Sequence, residues 1–205
     1  VGAIARSLGL RVPETVLAEL DPILARTEGD PEIQHLIQAS AGLNLAMDYL
    51  PGAINFDPVA WTPDAALASR IVWLDAYTSN VDRTVRNPNL MQWHRRLHLI
   101  DHGAALYFHH GWDGSSAHAA KPFPLIRDHV LLPWADALAE ADRDLSARLS
   151  PAQIATIVDA IPDAWLQDPH AFGPPAAQRA AYREYLVARL KAPHAFVEEA
   201  IRARA

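Results

Sequence analysis

Two aspartates and one asparagine in the middle of the chain have the residue types and the spacing that phosphoryl transfer requires. Asp82 is followed five residues later by Asn87, and Asp101 comes after two short apolar runs. All three side chains offer hard oxygen donors, which Mg²⁺ prefers together with phosphate oxygens. In such chemistry one Asp orients the acceptor hydroxyl, while an Asn and a second Asp hold metal on the triphosphate. The pattern Asp-x-x-x-x-Asn therefore indicates a kinase-type catalytic loop.

A β-hairpin is expected to bring Asp101 back beside this loop. Leu90 to Trp93 and Leu97 to Ile100 are short apolar runs, and the polar residues between them suit a tight turn. Residues 80–89 are too polar and irregular for a helix or strand, so we predict a loop there. Because the end of a hairpin returns near its start, Asp82 and Asp101 should lie around one cleft.

The flanking sequence predicts an α+β fold that is mostly helical. Strands are expected over Val12 to Leu20 and in the stretch GLNLAMDYL, and a helix capped by Asp30 should lie between them. A longer helix is predicted from Pro63 to Thr78. The remaining chain predicts further helices: one broken near Pro133, one capped by Ser150, one over residues 174–192 and one from 193 to the end. Residues 1–55 would form a small strand-containing part and residues 56–205 a larger helical part.

The composition is that of an ordinary globular protein and excludes several kinds of site. The 205 residues are 50% hydrophobic and carry a net charge of −6, which argues against a broad nucleic-acid-binding face. There is no cysteine, so disulfides, thiolate metal sites and Cys nucleophiles are excluded. No apolar run reaches membrane-spanning length, and the cytoplasm is the expected compartment. The chain opens on Val1 within an apparent helix, so we expect the sequence to begin inside a larger protein.

Histidines around the same segment raise a zinc site as an alternative to Mg²⁺. The candidates are His94, His98, His102, His109 and His110. A spacing of four suits a metal only on a helix, and His94 and His98 fall on the predicted hairpin. His109 and His110 are adjacent and are expected to point in different directions. The oxygen-donor set is therefore preferred, and His102 is expected to pack or hydrogen-bond.

The stretches VDRTVRNPNL and LIDHGAALYFHH closely resemble HipA-like kinases. That group is related to the protein kinases and to the phosphatidylinositol kinases, and HipA itself is a serine/threonine kinase and a toxin. The resemblance implies a protein-kinase-like large lobe with a partial small lobe. It also implies ATP and Mg²⁺ as ligands and a protein Ser/Thr hydroxyl as acceptor, without direct contact to nucleic acid or membrane.

The resemblance assigns roles to individual residues. Asp82 would be the catalytic Asp and Arg83 its adjacent Arg, while Asn87 and Asp101 would bind the metal. The hinge that presents backbone groups to adenine would consist of Asp48, Tyr49 and Leu50.

One difference from the family concerns the residues that bind the ATP phosphates. Kinases use a Gly-rich loop and a strand Lys paired with a Glu. This sequence has neither, and its only lysines are Lys121 and Lys191. We therefore expect weak or absent nucleotide turnover by these 205 residues alone.

Two other functions stay open beside the protein kinase. The chain could be a pseudokinase or binding module, for example one half of a toxin–antitoxin or regulatory pair. It could also act on a small-molecule or lipid hydroxyl. Lys121 and Arg127, which follow a long loop, are further candidates for contacting an acceptor.

Overall fold

The computed structural model describes residues 1–167, 172–191 and 193–205. About half of the chain is helical, and there are two small antiparallel sheets, which confirms the α+β class. The chain divides into two compact units, Pro13–Pro51 on its own and Val1–Val12 together with Gly52–Ala205. The arrangement as a kinase-like large lobe with a partial small lobe stays a prediction.

The smaller unit is a two-stranded sheet with a helical connection. Strand β1 (Thr15–Leu20) pairs antiparallel with β2 (Gly42–Met47), in a register that sets Thr15 opposite Met47 and Leu20 opposite Gly42. A 3₁₀ helix over Pro22–Thr27 and helix α2 (Pro31–Ala39) connect them. Asp30 caps α2 by accepting the N–H of Glu32 at 2.8 Å. Both predicted strands and the capped helix are confirmed.

The larger unit combines a three-stranded sheet with six helices among its described residues. Its elements in chain order are α1 (Gly2–Ser7), β3 (Ile54–Asn55), α3 (Ala65–Tyr77), β4 (Leu90–Trp93), β5 (Arg96–Leu99), α4 (Leu138–Arg148), α5 (Pro151–Asp159), α6 (Pro175–Arg189) and α7 (Ala195–Arg204). The sheet has the order β3-β4-β5 and is antiparallel throughout. The predicted hairpin is confirmed as β4 and β5, with its second strand one residue earlier than expected.

Helix α3 is the centre of this unit. Its sequence is apolar around the whole circumference, which is the pattern of a helix enclosed on all sides. Residues 71–77 are all buried, and α4 and α7 pack against the helix. Trp73 stacks on Tyr77 with 5.1 Å between ring centroids, and Phe196 of α7 meets the Trp73 ring edge-on. The helix therefore offers a rigid support for whatever follows its C-terminus.

Residues after the hairpin depart further from the prediction. The segment around Pro133 is more than a kink, because two short 3₁₀ segments, Pro124–Asp128 and Leu132–Trp134, precede a helix that begins only at Leu138. The prolines supply the reason, since proline has no N–H to donate and disfavours helical backbone in the residue before it.

The C-terminal helices agree with the sequence. Ser150 and Gln153 form a reciprocal capping box at the start of α5, as the Ser-Pro signal predicts. Helices α6 and α7 lie within the predicted ranges, and Ala192, the last residue of one predicted helix, lies outside the described residues. None of the described helices has both the length and the apolar character needed to cross a bilayer.

Candidate active site

The loop of residues 80–89 fixes the carboxylate of Asp82 from one side. Asn87 donates its Nδ2 to Asp82 Oδ2 at 2.6 Å, and Asn89 donates to the same oxygen at 3.2 Å. The Asp82 side chain accepts no other hydrogen bond from the described part of the chain, so Oδ1 stays available. Two fixed donors on one oxygen orient the carboxylate before any ligand arrives. Asp82 is thereby prepared to accept a proton or a hydrogen bond through Oδ1.

The orientation of Asn87 follows from the same contact. A carboxylate only accepts hydrogen bonds, so the amide must turn its nitrogen to Asp82 and its Oδ1 away. Asn87 is exposed, and a reciprocal pair of bonds with Thr84 closes the loop: Thr84 N–H donates to the Asn87 carbonyl at 3.1 Å, and Asn87 N–H to Thr84 Oγ1 at 3.3 Å. The loop thus presents one uncharged oxygen donor, Asn87 Oδ1, to solvent.

Asp101 lies in the turn that follows β5, with a left-handed backbone. Its φ of 44° is in the region where Asp and Asn are enriched among non-glycine residues. One carboxylate oxygen, Oδ1, accepts the Gly103 N–H at 3.0 Å, and the side chain is exposed. The second oxygen, Oδ2, has no hydrogen bond to the described residues. Asp101 therefore also presents a hard oxygen donor to solvent.

Backbone hydrogen bonds on either side hold the Asp101 turn against the 80–89 loop. Before the turn, Ile100 N–H donates to the Asn89 carbonyl at 3.0 Å. After it, Val81 N–H donates to the Ala104 carbonyl at 3.3 Å. The structure thus joins Asp82 to Asn87 and places the Asp101 turn against the same loop. That the three side chains form one site stays a prediction.

Arg83 lies beneath this surface and contacts neither solvent nor cleft. It is 1% exposed, and its Nε is 2.5 Å from Asp75 Oδ2. Its Nη1 donates to the Asn89 carbonyl and, at 3.4 Å, to the Ile100 carbonyl. One guanidinium therefore links α3, the candidate loop and the end of the hairpin. Because it is buried, Arg83 holds the loop in position and is not exposed to a substrate. The catalytic role beside Asp82 that the family resemblance implies for Arg83 stays a prediction.

Asp75, on the last turns of α3, accepts from three partners. Asn80 Nδ2 donates to Oδ1 at 2.9 Å, and His129 Nε2 lies 2.9 Å from the Oδ2 that Arg83 also contacts. Burial alone would raise the pKa of Asp75, but the Arg83 guanidinium and the His129 hydrogen bond hold the pKa well below its ordinary value. The carboxylate is therefore ionised and fully partnered in the interior.

The two histidines beside Arg83 are neutral. His129 Nδ1 accepts the Leu131 N–H at 3.0 Å, so the proton is on Nε2 and points to Asp75. Burial lowers the pKa of His129. His102 Nδ1 accepts from Arg83 Nη2 at 3.3 Å, and burial, followed by the Arg83 charge, lowers the pKa of His102 to about 4. The expectation that His102 is a hydrogen-bonding residue agrees with this contact.

The donor set fits a hard cation better than zinc. Asn87 Oδ1 and Asp101 Oδ2 are oxygens of exposed side chains. Mg²⁺ commonly takes such ligands together with phosphate oxygens and water. Within residues 1–167, 172–191 and 193–205, no group of three or more His, Asp or Glu is arranged to hold a metal.

The expectation that His109 and His110 diverge is wrong. They lie in a 3₁₀ segment, Tyr107–Gly111, and their Nε2 atoms are 3.2 Å apart, so the two rings turn toward each other. His94 and His98 do lie on the hairpin, as predicted, and His98 is buried in β5.

The predicted hinge residues belong to the smaller unit. The Asp48 N–H donates to the Glu14 carbonyl at 2.8 Å, which extends the pairing of β1 and β2 by one bond. Tyr49 is 80% exposed and Leu50 is buried. Their role at an adenine stays a prediction.

Sequence reasoning missed three residues that the geometry makes important. Asn89 supplies the second bond to Asp82, while Asp75 and His129 complete the buried network around Arg83. The sequence does indicate a role for Asp75, because it is the one acidic residue in the apolar stretch RIVWLDAY and a charge there requires a buried partner. No sequence pattern indicates the role of His129, since its partner Asp75 is 54 residues away in the chain.

Comparison with known proteins shows the family to which the chain belongs. No curated protein and no solved structure matched the chain. The sequence model of the HipA-like kinases, in contrast, matches residues 1–196 of the 205. That match spans both compact units and the whole candidate site, so this chain belongs to the HipA-like kinase family.

Proposed function

We propose that this chain carries the catalytic loop and the metal-binding turn of an ATP- and Mg²⁺-dependent phosphotransferase. The observation that supports this most strongly is the bond of 2.6 Å between Asn87 Nδ2 and Asp82 Oδ2. It leaves Asp82 Oδ1 open for an acceptor hydroxyl and Asn87 Oδ1 open for a cation. Family membership supports kinase activity independently of this geometry.

Asp82 would orient the hydroxyl that receives the phosphoryl group and would accept its proton. Its fixed orientation matters because phosphoryl transfer depends on positioning and electrostatics more than on covalent catalysis by the protein. Thr84, which closes the loop onto Asn87, and Arg83, which holds the loop to α3, would maintain this geometry without contacting the substrate.

Asn87 and Asp101 would hold the metal. When bound, Mg²⁺ neutralises charge on the triphosphate and orients it. The adenine would be received by backbone groups of Asp48, Tyr49 and Leu50, where side-chain identity matters little.

The acceptor is proposed to be a protein Ser or Thr hydroxyl, by analogy within the family. A lipid or small-molecule hydroxyl would use the same loop. A nucleotide-binding or regulatory module without turnover would share the fold but have no use for an open Asp82 Oδ1. The sequence encoded directly upstream of Val1 distinguishes this last alternative, because a Gly-rich hairpin and a strand Lys there would favour the enzyme.

The test compares two changes that the geometry separates. Transfer of a labelled γ-phosphate and Mg²⁺-dependent ATP binding would both be measured, with the 205-residue chain and with a chain in which a Gly-rich hairpin and a strand Lys are joined before Val1. Asp82→Asn should lower the transfer rate by about 10²–10⁴-fold and leave ATP binding nearly unchanged. Asp101→Asn should remove the Mg²⁺ dependence of ATP binding.

Asp159→Asn, an exposed position on α5, serves as the matched control and should change neither quantity. Full transfer activity in both Asp82→Asn and Asp101→Asn would contradict the proposal.

A further inference from the structure

We infer that a groove beside the candidate catalytic loop, which we call the acceptor groove, binds the acceptor as a peptide with acidic residues near its hydroxyl. This deepens the proposed function and rests on it. The acceptor groove has a volume of about 700 Å³. It is lined by residues 84–86 of the candidate catalytic loop, by residues between 127 and 133, and by the end of α7. Its polar and charged lining residues are Thr84, Arg86, Arg127, Asp128, His129 and Arg204.

The groove is built directly onto the loop that carries Asp82. Thr84 forms an antiparallel bridge with His129, and Val130 N–H donates to the Arg83 carbonyl at 3.0 Å. These contacts set residues 127–130 alongside residues 83–86. Arg86 lines the groove and is adjacent in the chain to Asn87, whereas Asp82 and Asn87 are not among the lining residues. A peptide bound in the groove would therefore have to extend past Arg86 to reach the proposed site of transfer.

The charge of the groove is opposite to that of the whole chain. Three arginines face one carboxylate in its lining, an excess of two positive charges, while the chain carries −6. Arg204 is engaged by Asp136, and Arg127 contacts Asp128 at 3.7 Å with both side chains largely exposed. Arg86 is exposed and forms no ion pair with any described residue. Arg86 and Arg127 are therefore the cations available to a ligand.

Two features favour a peptide over a small anion. The backbone carbonyl of Val85 and the backbone amide and carbonyl of Arg86 make no hydrogen bond within the described part of the chain, so an extended peptide could pair with them. The Val85 side chain is 66% exposed and offers an apolar contact between the two charged positions. A phosphate or other small anion could accept from the amide but would use neither the carbonyl groups nor the Val85 side chain.

The test is a binding measurement without nucleotide, so that it can fail separately from phosphoryl transfer. A fluorescein-labelled peptide with a central Ser and flanking Glu residues would be titrated with the 205-residue chain at low ionic strength, and its anisotropy recorded. The double change Arg86→Ala with Arg127→Ala should weaken binding by about threefold to tenfold, as expected for exposed charge contacts. Arg143→Ala, an exposed Arg on α4, is the matched control and should leave binding unchanged.

Reversing the charge of Arg86 and Arg127 tests whether these two charges select the peptide. Arg86→Glu with Arg127→Glu should lose the Glu peptide and gain a peptide in which Lys replaces every Glu. Thermal unfolding of each variant checks that it folds. The inference is overturned if the double variants bind the Glu peptide as tightly as the original chain, if a Gln-flanked peptide binds equally well, or if inorganic phosphate at the peptide's own concentration displaces it. Peptide binding without phosphoryl transfer, in a chain to which a Gly-rich hairpin and a strand Lys have been joined, would instead count against the proposed function.

Discussion

Arg83 and Asp75 form an ion pair with 2.5 Å between Nε and Oδ2, and neither side chain exposes any surface. The pair joins the loop that carries Asp82 to α3, the most deeply buried helix. Asn80 and His129 take up the remaining capacity of the carboxylate. The position of Asp82 therefore depends on a carboxylate that precedes it by seven residues and never contacts a ligand.

Removing Asp75 should be among the most destabilising single changes in the protein. Asp75→Ala leaves a buried guanidinium without its counter-charge, which typically costs about 3–5 kcal/mol. Urea unfolding followed by circular dichroism measures the change in the free energy of unfolding. Glu140→Ala, which breaks a solvent-exposed ion pair with Arg143, is the control and should change stability far less. An equal decrease in the free energy of unfolding in the two variants would show that the buried ion pair stabilises the protein no more than an exposed one.

Arg189 should also stabilise the fold, but through hydrogen bonds and not through an ion pair. It is 3% exposed and forms no ion pair with the described residues. Its guanidinium donates to the carbonyls of Ala76 and Tyr77 at the end of α3, at 2.8 Å each. It also lies over the Phe196 ring, 4.8 Å from the centroid. A cation at a helix C-terminus compensates the dipole and the open carbonyls together.

We expect Arg189→Met to destabilise the chain by about 2–4 kcal/mol, since it leaves buried carbonyls unpaired. Urea unfolding again measures the change, with Arg183→Met on the exposed side of α6 as control. A stability equal to that of the unchanged chain would contradict the capping role.

Stability should fall as the pH drops below about 6.5, partly because of His129. Burial lowers the pKa of His129 below its ordinary value, so between the two values the unfolded chain binds a proton that the folded chain does not. The free energy of unfolding must then decrease with falling pH, by up to about 1.4 kcal/mol per pH unit for one such group.

The His129→Gln variant tests this, because Gln removes the titrating group and keeps a donor for Asp75. Urea unfolding between pH 5 and pH 6.5 should give a shallower slope for this variant. His194→Gln is the control: burial opposes its protonation, but the hydrogen bond to Asp142 raises the pKa of His194, so its effect falls above pH 6.5. An unchanged slope in His129→Gln would refute the assignment.

Local signals account for the part of the fold that could be predicted from sequence. The Asp30 and Ser150 caps, the apolar runs of the hairpin and the polar loop between Asn80 and Asn89 each follow from neighbouring residues. The same locality explains why Asp82 and Asn87, which the structure joins by a hydrogen bond, could be named from neighbouring residues. What the sequence did not reveal depends on distant contacts. The Arg83–Asp75–His129 network and the bridge from Thr84 to His129 join segments that only the packed core places together.

Metal binding at Asn87 and Asp101 is the central claim, and paramagnetic broadening tests it most directly. Mn²⁺, which accepts the same hard oxygen ligands as Mg²⁺, would be titrated with ADP into the ¹⁵N-labelled chain. The amide signals of Asn87, Asp101 and Gly103 should broaden first, and Asp101→Asn should abolish this broadening. Sharp signals at those residues, with broadening at His109 and His110 instead, would contradict it.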